Sequence, residues 1–77
     1  MKVQPQYSVM LFKAVGYVLK AEKILQKEGL PHKLIPVPKH ISADCGICLR
    51  FEPAMQNKIE AALLNKVEVE EIRELAD

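Results

Sequence analysis

The sequence predicts a small α/β domain, of the α+β kind, whose elements follow one another in the order β-α-β-β-α-β. Two observations predict this fold. Short apolar or alternating runs typical of strands take turns along the chain with stretches whose apolar residues recur every three to four positions, as in helices. In addition, the two halves of the chain repeat the same strand-helix-strand pattern. Because 77 residues supply apolar surface for only one core, we interpret residues 1–77 as a single domain.

The first strand is predicted over residues 6–12 (QYSVMLF). This run is almost entirely apolar from Val9 onward, so we expect a central strand that is covered on at least one face. Residues 14–28 carry apolar side chains at helical spacing and lysines mostly elsewhere, which predicts an amphipathic helix. Gly29 is the residue type that ends helices most readily, and Pro31 prevents the helix from resuming.

The second strand is predicted over residues 32–37 (HKLIPV). Pro36 lacks the amide hydrogen that an interior strand donates, so this strand belongs at an edge of the sheet. We interpret His32 as a surface residue of that edge. A polar connection over residues 39–44 follows.

The third strand and the second helix come next. Residues 45–52 (CGICLRFE) alternate, with Cys48 and Arg50 on one face, which predicts a strand with one buried face. The apolar residues of the buried face are Ile47, Leu49 and Phe51. Pro53 suits the first turn of a helix, and apolar residues then recur at helical spacing until Asn65 offers a C-terminal cap.

The tail, residues 66–77, has VEVEE directly after Lys66, an alternation typical of a charged edge strand. We predict that the fourth strand begins there, and that the following EIRELAD either extends it or turns into a helical end. Pro36 marks the second strand as an edge, and Glu68 and Glu70 mark the fourth. These edges fit the ferredoxin-like fold, a four-stranded antiparallel sheet with both helices on one face.

Charge and composition argue against several functions. Eleven basic and ten acidic residues leave a formal charge of +1, too little to attract a phosphate backbone, so no nucleic-acid partner is expected. The start of the chain has the pattern of neither a signal peptide nor a membrane span, which predicts a cytoplasmic protein without a membrane partner. No catalytic triad, phosphate-binding loop or pair of catalytic carboxylates has a recognisable spacing, so independent enzymatic turnover is not expected.

The sharpest local feature is the CxxC sequence that Cys45 and Cys48 form. Two thiols at this spacing can close a disulfide, share a metal or activate one another in a turn. In a regular strand, however, a separation of three places them on opposite faces, where they cannot bond. We therefore expect unequal roles. Cys45 is freed by Gly46 to lie on the loop as the candidate nucleophile, and Cys48 projects from the sheet beside Arg50.

Charged residues near Cys45 act on it in opposite directions. Lys39 and His40 lie in the same loop, where a cation favours the thiolate, whereas Asp44 disfavours it. The structural alternative is that both cysteines are small buried apolar side chains. No metal site is expected, because zinc takes about four ligands and the candidates have no standard spacing. Those candidates are Cys45, Cys48, His32 and His40.

The order of first helix, LIPVP strand, polar loop, Cys45-Gly46 and the RFE sequence of residues 50–52 resembles a family of small domains, the selenium/sulfur carrier-like proteins. The resemblance extends from about Tyr7 to Leu75. It implies that Cys45 holds sulfur or selenium as a persulfide or selenosulfide, with no cofactor. A donor of the cysteine desulfurase type would supply the atom and an acceptor protein would receive it.

In this carrier hypothesis, residues around Cys45 contact the partner or set the local charge. These residues are Gly46, Lys39, His40 and Arg50. Cys48 departs from the family's pattern, and as a resolving thiol it would release the carried atom when a disulfide forms. Two other hypotheses stay open: a thiol-disulfide redox module that uses both cysteines, and a non-catalytic interaction or ligand-sensing domain whose sheet pairs into homodimers.

Overall fold

A computed structural model describes residues 7–41 and 46–75. These residues form strands and helices in the order β1 (Tyr7–Leu11), α1 (Val15–Glu28), β2 (Lys33–Pro36), β3 (Ile47–Phe51), α2 (Gln56–Leu63) and β4 (Glu71–Leu75), with one 3-10 turn, Pro53–Met55, before α2. All strand pairs are antiparallel, and the order across the sheet is β2-β3-β1-β4. The predicted α+β, ferredoxin-like fold is confirmed, including the positions of β2 and β4 at the two edges.

Helix α1 ends where its sequence predicts. Gly29 has a φ of 71°, in the left-handed region that glycine adopts at little cost. The amide of Gly29 then donates to the carbonyl of Gln26, and the amide of Leu30 donates to that of Leu25 at 2.9 Å. These two bonds satisfy carbonyls of the last turn, which have no partner within the helix. No helix within residues 7–41 and 46–75 is long and apolar enough to cross a membrane.

Replacing Gly16 with alanine is expected to raise the free energy of unfolding by about 0.5 kcal/mol, because alanine loses less backbone freedom in a helix. Gly16 lies in the first turn of α1, and an added Cβ there meets no atom within 4 Å. Gly29→Ala is the matched comparison and should lower the same free energy by about 1 kcal/mol, since alanine is strained at positive φ. Urea denaturation measures both values, and destabilisation by Gly16→Ala would contradict this account.

The main core lies between the two helices and one face of the sheet. Strand β1 and the residue after it contribute Met10 and Phe12, and both helices contribute their apolar stripes. Every member of this cluster has at most 2% of its surface exposed. The remaining members are Val18, Ala21, Leu25, Leu49, Phe51, Ile59 and Leu63.

The opposite face of the sheet is partly covered as well, so the prediction that β3 has one buried face was wrong. A second cluster, which we call the second-face cluster, consists of Val9, Leu11, Ile41 and Cys48. Ile41 comes from the connection between β2 and β3 and is only 4% exposed. It is an apolar residue in a stretch otherwise read as polar, and burying an isoleucine contributes about 1.5–3 kcal/mol. That gain accounts for the connection lying against this face.

The fourth strand begins later than its sequence suggests. Val67 and Val69 are half-buried against the main core within a connection, and β4 itself is Glu71–Leu75. The connection reaches the sheet at Glu70, whose amide donates to the carbonyl of Leu11 at 2.9 Å. The alternation of valine and glutamate therefore reflects a connection with one side toward the core. The EIREL stretch, predicted as a possible extension, is the strand that pairs with β1 over its whole length.

Candidate functional site

The predicted nucleophile, Cys45, lies outside the described residues, as does Asp44. The structure describes the residues on both sides of this segment, residues 42–45, which we call the cysteine segment. On one side, Ile41 is buried in the second-face cluster. On the other side, Gly46 is exposed and enters β3. The chain is thus anchored to the sheet immediately before the segment, and it is at the surface immediately after it.

Gly46 has a definite conformational role. Its φ of 76° lies in the left-handed region, and its carbonyl accepts a hydrogen bond from the amide of Val37 at 3.0 Å. This bond joins the chain just after β2 to the chain just before β3. A side chain at this position would strain the backbone. The structure therefore explains a glycine directly after Cys45 without reference to a ligand, and partner binding by Gly46 stays a prediction.

Lys39 and His40 lie in an exposed turn before the cysteine segment. The amide of Ile41 donates to the carbonyl of Pro38 at 2.9 Å, which closes this turn. Burial of Ile41 fixes the end of the turn while the two basic side chains remain in solvent. The structure thus places both at the surface, a few residues before Cys45 along the chain.

Cys48 is fully buried, with none of its surface exposed. It lies in β3, in register with Ile35 of β2, and it belongs to the second-face cluster with Val9 and Leu11. Reactive cysteines lie in partly exposed, electropositive surroundings, whereas buried structural cysteines are inert. The folded structure therefore gives Cys48 the surroundings of a structural cysteine.

The thiol of Cys48 is expected to react slowly with a water-soluble reagent. In the Cys45→Ser variant, where Cys48 is the remaining cysteine, modification by Ellman's reagent should be at least about 100-fold slower in native buffer than in denaturant, since reaction requires opening of the fold. The Cys48→Ala variant, measured in parallel, calibrates the reagent on Cys45. Equal rates for Cys48 in the folded and unfolded chain would show that the second-face cluster does not protect it.

Arg50 shares the face of Cys48, as the alternation predicts, but it lies toward the far end of β3. It is four residues from Gly46 along an extended strand, which is about 13 Å. Its guanidinium carbon is 4.1 Å from the centre of the Tyr7 ring, a cation-π contact. Its buried Nε has no hydrogen-bond partner among the described residues. The structure thus pairs Arg50 with Tyr7 and does not bring its backbone to the cysteine segment.

His32 is not the surface residue that its position in the sequence suggested. Its side chain is only 8% exposed. The Nδ1 atom is 2.8 Å from the carbonyl oxygen of Leu30, and the Nε2 atom is 3.7 Å from a carboxylate oxygen of Glu22. The ring thus links α1 to the start of β2. Within residues 7–41 and 46–75, no three histidine, cysteine, aspartate or glutamate side chains come together as metal ligands.

The fold and the two cysteines define the class of this protein: a small ferredoxin-like α+β protein with one cysteine inside the sheet and another just before β3. A family model described as "Putative Se/S carrier protein-like" matches residues 6–74. The chain belongs to this family, which confirms the resemblance seen in the sequence. No curated protein and no solved structure matches the chain significantly.

Proposed function

We propose that the protein carries sulfur or selenium, and that Cys45 receives the atom from a donor protein and passes it to an acceptor. Family membership supports the carrier role. The observation that carries the assignment to Cys45 is the complete burial of Cys48. A carrier thiol must be touched by two other proteins in turn, and a side chain enclosed by the second-face cluster is not available for that contact.

The transfer is an exchange between sulfur atoms. The thiolate of Cys45 attacks the terminal sulfur of a cysteine persulfide on the donor, a new S–S bond forms, and the donor's S–S bond breaks. The donor cysteine leaves as a thiolate and takes the electron pair of the broken bond, while the proton stays on the terminal sulfur. No external oxidant or reductant is consumed. A selenium atom in the terminal position follows the same course and gives a selenosulfide.

The surroundings of the cysteine segment support this chemistry. Lys39 and His40 provide exposed basic groups before the segment, and Gly46 leaves the chain after it uncovered by a side chain. Cations near a thiol favour the thiolate, which is the attacking form. A donor and an acceptor would meet these basic groups on approach.

The proposal is tested by loading the reduced, full-length protein with a cysteine desulfurase and cysteine, followed by alkylation and peptide mass spectrometry. We expect an additional sulfur atom on Cys45, located by fragmentation of the peptide that contains both cysteines. Omission of the desulfurase is the control for an adduct that does not come from the donor protein. Absence of the adduct with several unrelated desulfurases, or an adduct confined to Cys48, would overturn the proposal.

A further inference from the structure

A groove between α2 and β4 has no role in the chemistry of the cysteines. Its volume is about 410 Å³. Leu64, directly after α2, borders it and has 69% of its surface exposed, more than the other large exposed apolar residues among those described. The other apolar lining residues are Leu63, Val67, Val69 and Ile72. An apolar groove beside so exposed a leucine is typical of a surface that a partner covers.

The charges that line this groove are acidic. They belong to Glu60, Glu70 and Glu71, and no lysine or arginine lies among the lining residues. Glu71 has a partner in Arg73 at 3.8 Å. No basic side chain among the described residues forms an ion pair with Glu60 or Glu70. The groove therefore favours a ligand that brings positive charge.

The groove runs beside a free sheet edge. β4 pairs with β1 on its inner side, and no described strand pairs with its outer side. Strand β4 is five residues long and contains no proline. Its outward amides and carbonyls are therefore open to another strand. The opposite edge, β2, is only four residues long and includes Pro36, which cannot donate a backbone hydrogen bond. The two edges thus differ, and β4 is the one suited to strand addition.

We propose that the outer edge of β4 and the α2-β4 groove bind an extended segment of a partner protein that alternates apolar residues with lysine or arginine. Ile72 is half-buried against the main core, so every second side chain of a strand added beside it points toward the groove under Leu63 and Leu64. The basic side chains at the other positions point to the opposite face of the sheet, the face of Glu71, and the negative charge of Glu60 and Glu70 along the groove favours a basic segment over an acidic one. This inference goes beyond the carrier role and does not rest on it.

The docked segment would lie near the chain that leads to Cys45. Leu11 pairs with Glu71 on one side, and β1 runs antiparallel to β3 on the other, so the start of β3 lies at the same end of the sheet as Glu71. Neighbouring strands are about 4.8 Å apart, which puts β3 about 10 Å from β4. A partner held at β4 is thus about two strand spacings from the start of β3.

A second copy of this chain fits the groove less well. The exposed apolar and basic residues of α1 include Tyr17, Leu19 and Lys20, and they would complement an acidic groove. Such a contact uses a helix, which has no free backbone groups to pair with the outer edge of β4, so a second copy bound through α1 leaves that edge unpaired. The apolar and basic segment therefore belongs to a different protein.

The test is an NMR titration of the ¹⁵N-labelled full chain with a blocked peptide of alternating valine and lysine, VKVKVKV. We expect saturable shifts confined to residues 60–75, and binding at least about tenfold weaker for the acidic counterpart VEVEVEV. The Cys45→Ala variant should bind VKVKVKV as the wild type does, so the outcome is independent of sulfur transfer. Shifts centred on α1 or β2, or equal affinity for the two peptides, would overturn the proposal.

Charge-reversal variants test whether the acidic residues of the groove recognise the peptide. Glu70→Lys with Glu71→Lys should weaken binding of VKVKVKV at least about fivefold. The control pair, Glu28→Lys with Glu52→Lys, changes the net charge equally at exposed positions outside the groove and should stay within about twofold. If both double variants lose the same affinity for VKVKVKV, net charge explains the effect. That result would contradict specific binding in the groove. Sedimentation that shows wild-type self-association abolished by Glu70→Lys with Glu71→Lys would instead assign the groove to a second copy.

Discussion

Replacement of Cys45 with alanine is expected to abolish loading of the protein with sulfur, whereas replacement of Cys48 with alanine leaves loading intact. Alanine at position 45 has no sulfur with which to form the new S–S bond. Alanine at position 48 removes a side chain that is fully buried in the folded protein and that the proposed transfer does not use. Loading is measured with ³⁵S-cysteine and a cysteine desulfurase, as label retained by the protein under non-reducing conditions.

Circular dichroism of both variants provides the control, because a loss of loading is informative only for a folded chain. The outcome separates the competing hypotheses. If Cys48→Ala also abolishes transfer to an acceptor while loading persists, Cys48 acts as a resolving thiol and the redox module is favoured. If Cys45→Ala still loads, the sulfur atom resides on Cys48, and the proposed carrier mechanism is wrong.

The parts of the fold that were predictable depend on local physical chemistry. Gly29 ends α1 because left-handed backbone costs glycine little, and Pro36 marks an edge because it lacks an amide hydrogen. Both effects act within a few residues, so the sequence reveals them directly. The sheet order followed from Pro36 and from the repetition of the β-α-β pattern, whereas Glu68 and Glu70, interpreted as edge signals of the fourth strand, lie in the connection before it.

The parts that were missed depend on contacts between distant residues. Ile41 is a single apolar residue in a polar stretch, and its burial against Val9 and Leu11 depends on how the connection returns over the sheet. Likewise, Val67 alternates with glutamate as in a strand, but it contacts the main core from a connection. Periodicity gives the face of a side chain, whereas it does not give what lies opposite that face.

The same distinction applies to the candidate site. Alternation correctly put Cys48 and Arg50 on one face, but it could not show that one is enclosed by Ile41 and the other lies over Tyr7. His32 was misjudged for a related reason, since its contact with Glu22 joins a strand to a helix ten positions earlier. The turn with Lys39 and His40 could be anticipated, because the amide of Ile41 donates to the carbonyl of Pro38 only three residues earlier, whereas Gly46 bonds to Val37 nine residues earlier.

Phe12→Ala is expected to lower the free energy of unfolding by about 3–5 kcal/mol, the largest stability effect that we predict. Phe12 follows β1, has no exposed surface, and is the largest of the fully buried side chains in the described part of the chain. Alanine buries less apolar surface on folding than phenylalanine does. The substitution also leaves a cavity between the helices and the sheet. Urea denaturation followed by circular dichroism measures the change.

Leu19→Ala is the matched control, because Leu19 is 45% exposed on α1 and alanine favours helix, so its effect should stay within about 0.5 kcal/mol. A chain of 77 residues has a total stability of about 4–12 kcal/mol, so Phe12→Ala removes a large share of it. The second-face cluster includes Leu11, the residue directly before Phe12, so loss of the main core should also release protection of Cys48. If Phe12→Ala lowers the free energy of unfolding by less than about 1 kcal/mol, Phe12 is not a main contributor to the core between the helices and the sheet.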